Sequence, residues 1–142
     1  MQILTWILGK ESYGMKLEDC RDVKENTALF HIPGMPDYVA GLANVNGEPV
    51  TVLDVSCLFG LDRKENRPST VALVRIKGAQ QNVALLVDRL TDIVTVSQDQ
   101  IEIAPASMSE TQAALVACMV RRPEIVTIVL NPRELSKAHG NF

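Results

Sequence analysis

Eight short runs rich in Val, Ile, Leu and Thr recur along the chain: ILTWIL (3–8), YGMKL (13–17), GLANV (41–45), PVTVLDV (49–55), TVALVRI (70–76), NVALLV (82–87), IVTV (93–96) and EIVTIVL (124–130). None exceeds seven residues. That is strand length, and β-branched side chains suit a pleated surface better than a helical one. The pattern predicts a mainly β fold. Leu58 to Leu61 and Pro132 to Ala138 follow such runs with helix-compatible composition, so short helical turns are expected there.

Turn chemistry separates the runs. Asn46-Gly47 suits a two-residue type I′ loop, whose central residues both need positive φ. It would pair Val45 with Glu48, Ala43 with Val50 and Gly41 with Val52. Ala43, Val45, Val50 and Val52 then share an apolar face, while Leu42, Asn44, Pro49, Thr51 and Leu53 share a mixed one. Pro49 has no N–H to donate, so its strand lies at an edge or points that position away from a neighbour. Lys77-Gly78 reads as a turn, and DRKENRPS (62–69) and APASMSETQ (104–112) as surface loops.

The two halves of the chain resemble each other. Offset by 70 residues, YGMKLEDCRDV (13–23) lies over VALLVDRLTDI (83–93), so Glu18 meets Asp88 and Asp22 meets Asp92. Offset by 77, VTVLDVSCL (50–58) lies over TIVLNPREL (127–135), placing Asp54 on Asn131 and Leu58 on Leu135. Two matches in the same order point to a duplicated small β-unit. A barrel removes the edges that a half-size sheet would expose, so two small barrels are expected. The first spans roughly residues 13–66 and the second roughly 70–130, with the terminal segments completing them in a single domain over 1–142.

Composition excludes several functions. The chain has 142 residues, 46% of them hydrophobic, enough for one domain with a core. No apolar run nears the ~18 residues that cross a bilayer, and Met1 leads straight into ILTWIL without a secretory signal pattern. A cytoplasmic protein without direct membrane insertion is expected. Cys20, Cys57 and Cys118 are odd in number and widely spaced, which disfavours a disulfide framework or a zinc site. A net charge of −3 and 4% aromatic residues lack the footprint of a nucleic-acid binder. Asp54 and Asp88 each end an apolar run and are read as turn caps; neither belongs to a recognisable catalytic set. Trp6, alternating with Leu4 and Leu8, reads as core, and His31 as a loop side chain. No catalytic, cofactor-binding or metal-binding residues are expected.

The combination resembles the CheW-like domain family of bacterial chemosensory adaptors. The likeness runs through ILGKESYGMKLEDCRDV (7–23), IPGMPDYVAGLANVNGEPVTVLDVSCLFG (32–60) and ALLVDRLTDIVTVSQDQIEIAP (84–105), in order and at the family's spacing. It implies two five-stranded SH3-like barrels packed together with short helical turns. It also implies a non-catalytic scaffold linking the cytoplasmic tip of a methyl-accepting chemoreceptor to the regulatory domain of a CheA-type histidine kinase, in membrane receptor arrays. By resemblance the receptor interface falls on Cys20, Asp22, Val23, Gly41, Leu42, Asn44, Val45 and Asn46. Where the family's hairpin tip carries an arginine paired with the acidic residue at position 22, this chain has Asn46. The exposed pair is worth only about 0–1 kcal/mol, so its loss should affect partner choice more than the fold. The alternative is a small β-barrel module that binds a ligand or nucleic acid.

Overall fold

A computed structural model describes residues 1–61, 67–78 and 82–139, the last four by backbone alone. Among the described residues there are eleven strands: β1 (Gln2–Leu8), β2 (Glu11–Lys16), β3 (Cys20–Ala28), β4 (Val39–Val45), β5 (Glu48–Leu53), β6 (Thr70–Ile76), β7 (Val83–Val87), β8 (Arg89–Thr95), β9 (Ile101–Glu102), β10 (Val116–Arg121) and β11 (Val126–Leu130). Three short α-helices, α1 (Val55–Leu58), α2 (Glu110–Ala114) and α3 (Pro132–His139), and two single 3-10 turns at Leu17–Asp19 and Gln98–Gln100 accompany them. The chain is mainly β, with α1 and α3 near the two expected helical turns. Residues 62–66 of the expected loop lie outside the described residues.

Two curled sheets form. One runs β3-β6-β7-β5-β4 and the other β8-β1-β2-β11-β10-β9. Each closes on itself in the same way. In the first, Phe30, just beyond β3, exchanges two backbone hydrogen bonds of 2.8 Å with Leu42 of β4. In the second, Glu102 of β9, which follows β8 in the chain, pairs with Met119 of β10. Discounting that closing strand, both sheets have five strands.

The duplication reaches the level of register. Asn44↔Pro49, Ala43↔Val50, Leu42↔Thr51 and Gly41↔Val52 in the first sheet correspond, 77 residues on, to Arg121↔Val126, Val120↔Thr127, Met119↔Ile128 and Cys118↔Val129 in the second. The irregularity between Val39 and Gly41 recurs between Val116 and Cys118. At the offset of 70, Asp22↔Arg75 corresponds to Asp92↔Thr5, and Cys20↔Ile76 to Leu90↔Trp6. Asp54 and Asn131 also act alike. Each accepts the backbone N–H two residues ahead, from Ser56 at 3.1 Å and Arg133 at 3.2 Å, at the head of a helix.

Sheet membership differs from the expected division near residue 70. β6 and β7 pair with β3 and β5, so the first sheet occupies residues 20–87, while the β1–β2 hairpin joins strands 89–130. Each repeat has given its leading hairpin to the other sheet. One parallel pair in each sheet marks the exchange, β5 with β7 and β2 with β11. Neighbouring strings in sequence therefore belong to different sheets, which a reading along the chain does not reveal.

The exchange also unites the cores. Leu4, Trp6 and Leu8 on one side of β1 pack with Val50, Val52, Leu73, Leu85 and Leu135 in a cluster spanning both sheets. On the other side of β1, Ile3 packs with Val96, Val120 and Val129 in a smaller cluster. Burying one such side chain contributes roughly 1.5–3 kcal/mol.

Candidate partner-binding corner

The corner is built on the β4–β5 hairpin. Asn46 and Gly47 have φ of 53° and 85°, as a type I′ loop requires, and Gly47 N–H donates to Asn44 Oδ1 at 2.9 Å. Ala43, Val45, Val50 and Val52 are buried and Asn44 and Asn46 exposed, as the alternation predicts. Pro49 is not at an edge, since β5 lies between β4 and β7. Its missing N–H points toward β7 before that ladder begins at Thr51, so no bond is lost.

Curling of the first sheet carries β3 round to this hairpin. Lys24 Nζ donates to Asn46 Oδ1 at 3.4 Å, and the Phe30–Leu42 bridge closes the seam beside it. Phe30 is 61% exposed there. Gly41 is required by the seam, because a Cβ at that position would lie 2.4 Å from the Phe30 carbonyl oxygen.

Of the eight candidate residues, Asn44 and Asn46 are exposed, and Cys20, Asp22, Val23 and Leu42 are half-buried. Gly41 and Val45 are buried, so they shape the corner and do not present side chains to a partner. Val23 packs against the core. Cys20 sits at the head of β3, its thiol directed at the Lys16 carbonyl 3.5 Å away. Burial, and secondarily the charge of Asp19, push that thiol up to about 11, so it is neutral at physiological pH.

Beneath the corner lies a polar cluster that sequence reasoning missed. Arg75 is only 3% exposed; its Nη1 lies 3.3 Å from Asp22 Oδ2 and its Nη2 3.6 Å from Glu48 Oε2. Nη2 also donates to Asn82 Oδ1 at 3.3 Å, and Asn82 Nδ2 donates to Glu48 at 2.7 Å. Arg21 approaches Glu48 from outside at 3.9 Å. The available signal was Arg75 itself, the one charged residue in TVALVRI.

The two suspected caps have different roles. Asp54 caps α1 and is fully buried, with Arg67 as an ion-pair partner. Asp88 precedes a strand; it accepts the Gly9 N–H at 2.7 Å and so holds the β1–β2 turn. Among the described residues, no group of three or more His, Cys, Asp or Glu is placed to hold a metal ion, and no helix is long and apolar enough to cross a membrane. A cleft of about 290 Å³ lies against β2 and the end of α1, lined by Glu11, Tyr13, Phe59, Leu61, Met108 and Ile128 among others. It sits at the lower limit of small-molecule sites, which run from about 300 Å³ upward.

The family model of the CheW-like domain matches residues 2–139. The chain is similar to "Chemotaxis protein CheW" of Helicobacter pylori, at 23% identity over 129 residues, covering 91% of this chain and 78% of that one. It is likewise similar to "Chemotaxis protein CheW" of Treponema pallidum, 23% identical over 137 residues, with coverage of 94% and 81%. In fold it is similar to the crystal structure of the scaffolding protein TtCheW from Thermoanaerobacter tengcongensis, with a TM-score of 0.75 at 21% identity, covering 92% of this chain and 83% of that one.

Proposed function

The chain belongs to the CheW-like domain family, and from that premise we propose that it is a non-catalytic adaptor coupling chemoreceptors to a CheA-type histidine kinase in bacterial chemosensory signalling. It works in the cytoplasm, against membrane receptor arrays, and requires no cofactor. The extent of the family match carries this reading, since it takes in strands of both sheets. A scaffold of this kind needs two separate faces, and two closed sheets joined through a cluster that spans both would supply one each.

The receptor-facing surface lies at the first sheet's corner. Leu42, Asn44 and Asn46 of the hairpin and Asp22 of β3 supply the accessible side chains, with Cys20 and Val23 at its margin and Gly41 and Val45 fixing its backbone. Half-buried apolar side chains ringed by polar ones match the make-up of protein interfaces. The test is pull-down of a receptor cytoplasmic fragment and of the kinase regulatory domain from the same genome. Binding to both is expected, and retention of neither would overturn the assignment.

A further inference from the structure

We propose that Arg75 is a positioning residue for the corner, drawing Asp22 and Glu48 together from inside the barrel so that the hairpin tip and β3 hold one arrangement for the receptor. The proposal rests on the adaptor reading for its partner but on the cluster for its geometry. An arginine only 3% exposed is costly to desolvate, and here its charge is met by two carboxylates that are 35% and 47% exposed. Both flank the tip, because Glu48 pairs with Val45 in the hairpin and Asp22 lies two residues from the Lys24 that holds Asn46.

The duplicated sheet supplies an internal control. The position equivalent to Arg75 is Thr5, which pairs with Asp92 as Arg75 pairs with Asp22. There a buried hydroxyl suffices, bonded to Thr91 Oγ1 at 2.7 Å and to the Asp92 carbonyl at 3.0 Å. At the position of Asn82 the second sheet has Ser12, bonded to Thr127. The architecture therefore does not need a guanidinium at this site. Only the sheet bearing the corner has one, and it links the three elements that meet there.

The test moves the arginine. The Lys24–Asn46 contact brings the tip against β3, the strand that carries Asp22, so a guanidinium on the tip is the substitute partner to try for that carboxylate. Four chains are compared: unaltered, Arg75→Met, Asn46→Arg and the double variant. Amide hydrogen exchange is followed over 20–24 and 44–48, together with affinity for a soluble receptor-tip fragment. Arg75→Met alone should speed exchange in both segments and weaken binding roughly tenfold. In the Asn46→Arg background, the same change should cost little in either measurement. Equal losses in both backgrounds, or unchanged binding in Arg75→Met, would overturn the proposal. Should Arg75→Met fail to fold, Glu48→Gln, outside the proposed receptor contacts, leaves the guanidinium on Asp22 and Asn82 and must reproduce both the faster exchange and the binding loss. Should the unaltered chain bind no receptor fragment, the adaptor reading fails, and the exchange data still decide the role of Arg75.

Discussion

Arg67 Nε donates to Oδ2 of Asp54 at 3.1 Å, joining a residue just before β6 to the fully buried cap of α1. The same guanidinium also reaches the Asp37 carbonyl and, at 3.3 Å, the Cys57 sulfur. Asp54 Oδ1 meanwhile takes the N–H and hydroxyl of Ser56. Removing one partner leaves a buried charge unanswered, which costs about 3–5 kcal/mol. Arg67→Met should therefore lower the urea midpoint by that equivalent, while Arg133→Ala near the equivalent cap should change it little. Similar small losses for both would mean that Asp54 is sufficiently satisfied by Ser56.

Gly41 and Gly47 lie in one hairpin but answer to different constraints. At Gly41 an added methyl collides with the Phe30 carbonyl, while at Gly47 it meets open space and only the φ of +85° is unfavourable. Gly41→Ala should cost about 2–3 kcal/mol through forced separation of the seam, and Gly47→Ala about 1 kcal/mol. Chemical denaturation gives the ranking. The reverse order would place the strain in the turn and not in the seam.

What was legible in the sequence followed from local chemistry. Asn46-Gly47 set the β4–β5 register because only a few residues accept two consecutive positive φ values, and Asp54 and Asn131 were aligned by the strings around them. β3 was largely hidden, since six of the nine residues of CRDVKENTA are polar and the strand is broken by an irregularity where Asn26 takes a φ of 53°. α2 is five residues long and begins inside the expected loop. The hairpin exchange and the partners of Arg75 depend on strands distant in sequence, and neither periodicity nor spacing carries that information. The resemblance proposed the corner as a partner surface, and burial separates Gly41 and Val45 from the side chains that could touch a partner there.

Cys20 makes an alkaline signature. Its thiol is pushed up to about 11 by burial, and in the unfolded chain it ionises near its ordinary value of 9. Above pH 9 the unfolded chain loses the proton first, so the contribution of Cys20 to stability is complete below pH 9 and declines as pH rises to about 11. Cys118 is shifted in the same direction, also by burial. Cys20→Ser should therefore flatten the fall in unfolding free energy between pH 9 and 11 without abolishing it. An unchanged slope would mean that the Cys20 thiol is open to solvent.

Asn46 is exposed at a left-handed position that asparagine tolerates better than most residues, and its side-chain oxygen accepts from Lys24. Asn46→Arg puts a second cation beside Lys24 at an exposed position, where pairs of charges are worth little, so stability should change by about 1 kcal/mol or less. Binding should respond more strongly, because the substitution adds length and charge at an exposed point of the proposed interface. A loss of about threefold or more in affinity for the cognate receptor fragment is expected, with the kinase regulatory domain bound as before. Titration of the two partners separately makes the comparison. Equal receptor affinity in both versions would reduce Asn46 to a turn residue and move the interface toward Asp22 and Leu42.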